Sequence, residues 1–491
     1  MRENGVLLPI FALPSRYGIG CFSKEAYEFV NQMKKAGQKK WQILPLGPTG
    51  YGDSPYQSFS TFAGNPYYID LEVLINEGLI TEEECDEYDF GQDETKVNYE
   101  ALYRNKFKIL RKAFKRFHKS NEYEQFLERN EEWLTDYCMY MAIKDSQNGV
   151  SWIQWPEEYR DRDEAAMANV KEELAEDIDF YRFQQYQFER QWTWLHDYAN
   201  SQGIKIIGDI PIYVAFDSAD TWANPKLFQF DEENMPAAVA GCPPDGFSPT
   251  GQLWGNPLYD WDYHRKTGYE WWMKRIEFCF RLYDSVRIDH FRGFDEYYAI
   301  PYGAETAVNG KWMPGPGKEL FDAIEEKFGR LDIIAEDLGF LTDSVLKLLK
   351  DTGFPGMKVL QFAFDSRESS NYLPHTYTTN CVVYTGTHDN DTTRGWYLNA
   401  SAGCREFAKE YLNKEALDVD TLSWDFIALA MSSVADLCVI PVQDFLCLDG
   451  SARINTPSTL GNNWDWRLKR NQISDTLIEK IYKMTRLYGR L

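Results

Sequence analysis

The chain has 491 residues, 44% of them hydrophobic and 26% charged, a composition typical of a globular enzyme. Its formal net charge of −24 disfavours nucleic acids and anionic membranes as partners, because like charges repel. No apolar stretch has the length that spans a bilayer, and the N-terminus lacks the basic start and cleavage site of a signal peptide. The nine cysteines are scattered without a close CxxC pair, which favours thiols in a reducing compartment. We therefore expect a cytoplasmic protein.

Short apolar runs rich in β-branched residues predict strands, and most are nearly continuous, as parallel strands covered on both faces are. In chain order they are 41–46, 204–214, 284–289, 331–338, 357–364, 381–387 and 437–445. The segment 65–72 is a weaker eighth candidate, and helical patterns such as 317–329 and 342–353 lie between several strands. This alternation predicts an α/β fold, a (β/α)8 TIM barrel. A doubly wound open sheet is the alternative, although no GxGxxG follows the first strand.

Two long insertions interrupt the barrel, which we expect to be a single catalytic unit over residues 1–491. Residues 80–200 are rich in helical pattern and charge, which predicts a mainly helical insertion subdomain with solvated faces. Residues 215–283 are aromatic and rich in Gly and Pro. Long irregular loops after barrel strands are where binding sites are built, so we expect this second insertion to shape the substrate cleft.

Polar residues end four of the predicted strands. They are Asp209 on the segment 204–214, Arg287 and Asp289 on 284–289, Glu336 and Asp337 on 331–338, and His388 and Asp389 at the end of 381–387. In a barrel these ends converge on one face, where catalysis takes place. A single acidic residue there is usually a salt bridge or a cap, but clustered carboxylates repel one another and cost stability. Their convergence therefore favours a functional site.

Exchange of a glycosidic bond is a reaction that uses such a cluster, with one ionised carboxylate as nucleophile and one protonated carboxyl as general acid. Arg287 lies two residues before Asp289 on one strand, so both face the same side, and its guanidinium is expected to lower the pKa of Asp289. Glu336 is the candidate acid, which protonates the leaving oxygen and later activates the incoming hydroxyl. His388 and Asp389 are candidates to bind sugar hydroxyls.

A divalent-metal site is the alternative use of these side chains, and its ligands would be Asp209, Asp289, Asp389 and His388. Some metal-dependent barrels use carboxylates in this way. Arg287 in the midst of them would repel a cation, which disfavours this alternative.

Seven motifs carry a resemblance to a known family. "VRIDHF", "AEDLG" and "THDND" resemble the strand-end motifs of the α-amylase clan. "LGPTGYGDSPYQSFSTFAGNPYYIDL", "GDIPIYVAFDSADTW", "GQLWGNPLYDW" and "GNNWDWR" resemble the amylomaltase family of 4-α-glucanotransferases, in the family's order from about Leu8 to the C-terminus. The resemblance implies a barrel with helical insertions, a retaining mechanism, no cofactor and a cytoplasmic location. It also implies malto-oligosaccharides and α-1,4-glucans as substrates.

The same resemblance assigns roles to individual residues. It implies Asp289 as nucleophile, Glu336 as acid/base and Asp389 as a third, transition-state-stabilising carboxylate. The substrate contacts that it implies are Arg287, Asp209, His388, Tyr51, Ser54, Tyr56, Trp254 and Asn463. Tyr51, Ser54 and Tyr56 match a loop that lines the donor and acceptor sites, and Trp254 matches a mobile loop on the acceptor side. From the residues alone, these aromatic side chains could equally pack in the barrel rim or the core.

Three functions remain open. A glycosyl–enzyme intermediate on Asp289 can be intercepted by a sugar hydroxyl, which is transfer, or by water, which is hydrolysis by the same residues. The motifs around Tyr56 and Trp254 favour transfer. A catalytically silent glycan-binding protein is the third possibility, and an intact set of Asp289, Glu336 and Asp389 argues against it. We expect a monomer or a homodimer.

Overall fold

The structure, a computed structural model, describes residues 2–50, 52–244, 248–339, 341–364 and 370–491. Its strands are β1 (Glu3–Leu7), β2 (Lys40–Gln42), β3 (Lys205–Pro211), β4 (Ala238–Cys242), β5 (Gln252–Pro257), β6 (Ser285–Asp289), β7 (Glu296–Pro301), β8 (Lys311–Pro314), β9 (Ile333–Ala335), β10 (Gly356–Val359), β11 (Cys381–Tyr384) and β12 (Leu437–Pro441). Its α-helices are α1 (Lys24–Lys35), α2 (Leu71–Asn76), α3 (Glu82–Asp86), α4 (Tyr99–Arg116), α5 (Asn121–Ser146), α6 (Glu157–Arg160), α7 (Glu164–Glu173), α8 (Ala175–Ser201), α9 (Ala219–Ala223), α10 (Trp261–Lys266), α11 (Glu270–Leu282), α12 (Lys318–Phe328), α13 (Asp343–Thr352), α14 (Thr393–Asn399), α15 (Ala402–Tyr411), α16 (Leu422–Ser432), α17 (Val442–Phe445) and α18 (Asp475–Leu487).

Eight strands form one parallel sheet in the order β1, β2, β3, β6, β9, β10, β11 and β12, and β12 pairs back with β1. Between β9 and β10 the Ala335 amide donates to the Pro355 carbonyl at 3.0 Å, which completes the ring. Each barrel strand therefore lies beside the next barrel strand along the chain, as a (β/α)8 barrel requires. The predicted barrel is confirmed, and the open doubly wound sheet is wrong.

The weak candidate strand at 65–72 is also wrong. This segment forms a short 3-10 turn at Pro66–Tyr68 and then begins α2, because the side chains of Asn65 and Asp70 accept backbone amides and start helical turns. The eighth strand is β1, which lies just before Pro9 and pairs with β2 and β12. The other predicted segments overlap observed strands, each of which is shorter than its segment; Leu360–Phe362 forms a 3-10 turn after β10, and Val442–Phe445 forms α17 after β12.

The interior of the barrel changes from apolar to charged along the strand direction. Ile207 and Asp209 lie two residues apart on β3 and share one face of the strand. Ile207 belongs to an apolar layer with Leu7, Ile334, Met357, Val359, Val382, Tyr384 and Val439. The Nε of Arg287 lies 3.4 Å from the sulfur of Met357, so the charged layer rests directly on this apolar one. Val286 and Ile288 flank Arg287 on the strand. Their side chains point to the opposite face and pack outward against the helices.

Two smaller units are attached to the barrel. Residues 82–201 carry helices α3 to α8, and α5, α7 and α8 contribute to a second hydrophobic core. Asp217, in the loop after β3, accepts hydrogen bonds at 2.6 Å from Tyr140 and Lys144 of α5. Strands β5, β4, β7 and β8 form an antiparallel sheet, in that order, that the sequence analysis did not predict. Within the described ranges, no helix has both the length and the apolar character needed to cross a membrane.

A buried carboxylate anchors the turn 385–393 that follows β11. Asp444, in α17 directly after β12, is 1% exposed. It accepts the hydroxyls of Thr385 at 2.5 Å and Thr393 at 2.8 Å, and also the Thr393 amide at 2.8 Å. Both ends of this turn are thereby fixed relative to the barrel, and His388 and Asp389 lie between them.

Asp444→Ala should leave three buried donors without an acceptor and lower the free energy of unfolding by about 3 kcal/mol. Asp420, whose side chain is 77% exposed, pairs with Arg394 at 2.8 Å and offers a matched control. Asp420→Ala should cost less than about 1 kcal/mol, because exposed ion pairs contribute little. Denaturant titration followed by circular dichroism measures both variants. Similar small losses would show that the turn does not depend on Asp444.

Candidate active site

One buried cation joins carboxylates from two neighbouring strands. Arg287 on β6 donates through Nη1 to both carboxylate oxygens of Asp209 on β3, at 2.8 and 2.7 Å. Its Nη2 donates to Oδ1 of Asp289 at 2.8 Å. The side chains of Asp209 and Arg287 are 0% and 3% exposed, whereas that of Asp289 is 29% exposed. Asp289 is thus held from the protein side and open toward the mouth of the barrel.

The pKa of Asp289 is raised above its ordinary value. Burial is the main cause, and the nearby charges of Asp209 and Asp389 add to it, while those of Arg287 and His388 oppose it. Arg287 therefore acts in the expected direction and lowers the pKa of Asp289, but burial outweighs the guanidinium and the net shift is upward. Arg287 supplies a fixed position for the carboxylate and limits the rise of its pKa.

Glu336 follows β9 and faces the same mouth. Its amide donates to the carbonyl of Ile288 on β6 at 3.0 Å. Its carboxyl oxygens accept two backbone amides, Oε1 from Leu338 at 2.7 Å and Oε2 from His290 at 2.8 Å. The carboxyl group is therefore locked in orientation by main-chain atoms, which cannot rotate away.

Burial raises the pKa of Glu336 to about 7, and the negative charge of Asp289 contributes to the rise. The charge of Arg287 and the two backbone amides oppose it. The pKa values of Glu336 and Asp289 influence each other, because each carboxylate's negative charge favours the protonated form of the other. Two carboxyl groups with different environments at one site are the arrangement that separates a general acid from a nucleophile.

A hydrogen-bonded chain links the other side of the mouth. The hydroxyl of Tyr56 donates to Oδ2 of Asp209 at 2.8 Å and lies 2.9 Å from Nε2 of His388. The same nitrogen lies 3.3 Å from Oδ2 of Asp389. Asn455, which the sequence analysis did not single out, donates to Oδ1 of Asp389 at 2.6 Å. The network thus joins β3 with the loops that follow β2, β11 and β12.

Two further predicted residues border this cluster. Trp254 on β5 is half-buried, and its ring meets the His290 ring edge-to-face at 4.8 Å. Ser54 accepts the Tyr56 amide at 3.3 Å, so its hydroxyl supports the turn that carries Tyr56. Trp254 therefore lies next to the residue that follows Asp289, and Ser54 stabilises the loop that carries Tyr56.

The predicted substrate contact Asn463 is not brought into the network. The side chain of Asn463 accepts the Thr456 amide at 2.9 Å and donates to Thr459 at 3.1 Å, so it closes its own loop. Tyr51 lies outside the described residues.

Two more contacts were missed because they come from the loop after β12, where neither strand nor helix pattern is present. Arg453 donates to the carbonyl of Asp389 at 2.6 Å. The ring of Trp464 lies 5.8 Å from the Tyr56 ring and 6.0 Å from the His388 ring. The motif "GNNWDWR" contains Trp464 and was the one signal that pointed to this residue.

The geometry disfavours the alternative metal site. Within the part of the chain that the structure describes, no group of three or more His, Cys, Asp and Glu side chains is arranged to hold a metal ion. Arg287 donates to both Asp209 and Asp289, so a cation shared by these carboxylates would have to displace a buried guanidinium.

A closed barrel with a cation-held carboxylate at its mouth, beside a second carboxyl whose pKa is raised to about 7, is an arrangement typical of enzymes that act on glycosidic bonds. A profile of the 4-alpha-glucanotransferase family, glycoside hydrolase family 77, matches residues 8–473. The chain is 50% identical to a 4-alpha-glucanotransferase of Clostridium butyricum, over 98% of this chain and 99% of that one. An amylomaltase from Streptococcus agalactiae, solved with acarbose, has a TM-score of 0.96 and 41% identity, with both chains fully covered. This chain belongs to the 4-alpha-glucanotransferase family.

Glu336 is the candidate general acid, so activity should fall as pH rises through its pKa of about 7 and the carboxyl loses its proton. The alkaline limb of kcat/KM, measured with maltotriose between pH 5 and 9, is expected to have its midpoint there. Glucosyl fluoride is the control donor, because its leaving group needs no protonation, and its bond cleavage should lose less rate. A maltotriose profile that stays flat to pH 9 would contradict the assignment.

Proposed function

We propose that the chain is a 4-alpha-glucanotransferase that moves α-1,4-glucan segments between malto-oligosaccharides by a retaining double displacement. The observation that carries the proposal is the pair of carboxyl groups at the ends of the adjacent strands β6 and β9. Asp289 is fixed by the Arg287 guanidinium, and Glu336 has a pKa of about 7. These are the two states that the mechanism requires of its nucleophile and its acid.

In the first half-reaction Asp289 attacks the anomeric carbon while Glu336 gives its proton to the glycosidic oxygen. The bond to the leaving sugar breaks, and an ester bond between the donor segment and Asp289 forms. Arg287 donates to Oδ1 of Asp289, and no described residue donates to Oδ2 in the structure. Oδ2 is therefore the proposed attacking atom.

In the second half-reaction Glu336 is ionised and takes the proton of an incoming 4-hydroxyl, whose oxygen displaces Asp289 from the anomeric carbon. The amides of Leu338 and His290 stabilise the negative charge of Glu336 at this stage. Burial favours the protonated form and the amides favour the ionised form. This balance near neutral pH suits a group that must act first as an acid and then as a base.

Asp389 is the proposed third carboxylate, placed against the sugar ring that undergoes reaction. Asn455 fixes one of its oxygens, and Asp444 anchors the turn on which it lies. The transition state flattens the ring and moves its 2-hydroxyl, so a rigid carboxylate can bind that ring better than the relaxed one. Arg287, Asp209, His388 and Tyr56, which form the surrounding network, are the proposed contacts to the same ring.

Transfer and hydrolysis differ only in what attacks the intermediate. Trp254 and the insertion 215–283 are proposed to shape the acceptor side of the cleft, because an aromatic wall beside the acid/base favours a sugar ring over water. Plain hydrolysis is the second candidate, and a silent binding protein the third. A binding protein has no need of a carboxyl whose pKa is raised to about 7.

We propose a cytoplasmic enzyme that works as a monomer or a homodimer without a nucleic-acid partner. Buried thiols such as Cys138 and Cys438 support a reducing compartment. The net charge of −24 supports the absence of a nucleic-acid partner.

Incubation with maltotriose should give glucose together with maltopentaose and longer chains, which chromatography resolves. Asp289→Asn is isosteric and should retain the fold while slowing this reaction by about four orders of magnitude or more. Glu336→Ala should be similarly slow with maltotriose but retain part of its cleavage of glucosyl fluoride. Glucose and maltose without longer products would identify a hydrolase, and near-normal turnover of either variant would identify the wrong residue.

Asp389→Asn should lower kcat by about a thousandfold and raise KM much less, because the lost contact is strongest in the transition state. His388→Asn should reduce kcat less, since this residue is expected to contact the ground state and the transition state more evenly. Initial rates over a range of donor concentrations separate kcat from KM. If Asp389→Asn mainly raises KM and leaves kcat unchanged, the residue contributes to substrate binding and not to transition-state stabilisation.

A further inference from the structure

His290, the residue after Asp289, has a left-handed backbone conformation with φ of 55° and ψ of 48°. This conformation is uncommon for residues other than glycine, and histidine is among the residues that adopt it more often than most. Here it aims the His290 amide at Oε2 of Glu336, 2.8 Å away. The backbone turn therefore serves the acid/base carboxyl.

The same turn places the imidazole among aromatic rings. The Trp254 ring lies 4.8 Å away at 86°, an edge-to-face contact in the favourable range, and the Tyr213 ring lies 6.4 Å away. Burial and the charge of Arg292 lower the pKa of His290 to about 3. The imidazole is neutral near pH 7 and acts as an uncharged ring.

The imidazole has little room to move. A Cβ on Gly293 would lie 3.1 Å from Cδ2 of His290 and 3.2 Å from the hydroxyl of Tyr213. A side chain at this position would require His290 or Tyr213 to shift. Nε2 of His290 is shielded from solvent and has no hydrogen-bond partner among the described residues, and the Trp254 ring is nearer to the imidazole than the Tyr213 ring is.

We propose that His290 is a positioning residue that couples the acid/base to the acceptor side of the cleft. Its amide holds Glu336 and its ring holds Trp254. This inference rests on the proposed function: Glu336 exchanges its proton with the leaving and the incoming sugar, so the acceptor sugar must lie beside it. Trp254 packs against His290 and presents its ring to that sugar. The backbone turn at His290 therefore sets the positions of both Glu336 and Trp254.

His290→Asn tests the role of the ring, because asparagine tolerates the left-handed conformation and keeps the amide to Glu336. With maltotriose, the ratio of transfer to hydrolysis should fall about fivefold, the order expected for an aromatic pair. The alkaline midpoint of the pH profile should stay in place, because the amide is retained. His290→Ala should shift that midpoint as well, because alanine disfavours the left-handed turn.

A double-variant cycle shows whether His290 acts through Trp254. Combining His290→Asn with Trp254→Ala should give the same product ratio as Trp254→Ala alone. His264 is the control, since its ring also lies among aromatic side chains, 5.3 Å from both Tyr259 and Trp261. His264→Asn should lower the melting temperature without changing the ratio.

Additive effects in the cycle, or an unchanged ratio in a folded His290→Asn variant, would overturn the coupling while leaving glucanotransfer intact. A wild-type enzyme that makes no longer chains from maltotriose would instead overturn the proposed function itself. The two failures are therefore distinguishable in one set of chromatograms.

Discussion

The guanidinium of Arg287 is the charge on which the mouth of this barrel depends. Asp209 and Asp289 lie on adjacent strands, and without a cation between them two carboxylates would meet above an apolar layer, at a cost of several kcal/mol. With the cation in place, Asp209 is free to accept the Tyr56 hydroxyl, and the network that reaches His388 begins from it. One positive charge on β6 therefore sets the position of Asp209 on β3 and, through it, those of Tyr56 and His388 in the loops after β2 and β11.

The two catalytic candidates differ because their surroundings differ. Asp289 has a side-chain cation beside it and remains 29% exposed, while Glu336 is bound by two backbone amides and is affected most by burial. Burial raises the pKa of both carboxyl groups, and the charge of Arg287 and the backbone amides at Glu336 limit the rise. Two main-chain amides also fix the rotamer of Glu336, because they donate to its carboxyl oxygens.

Much of this site could be predicted because parallel strands end at one edge and side chains alternate along them, which places Asp209, Arg287 and Asp289 from local pattern alone. Strand β1 was overlooked because Pro9 shortens its apolar run. Arg453 and Trp464 could not be found in this way, since their positions depend on partners some 60 to 400 residues distant in the chain. The direction of the Asp289 pKa shift required the extent of burial, which no local pattern contains.

The pairing of β1 with β12 has a consequence for the order in which the enzyme is made. Arg490 donates to the Glu3 carbonyl at 3.0 Å, and Tyr56 meets a histidine 332 residues further along. During synthesis from the N-terminus, β1 therefore waits with an open edge until the last barrel strand has left the ribosome. The contact between Tyr56 and His388 cannot form on the growing chain before His388 is made, and until β12 pairs with β1 the open edge of β1 can pair with other strands.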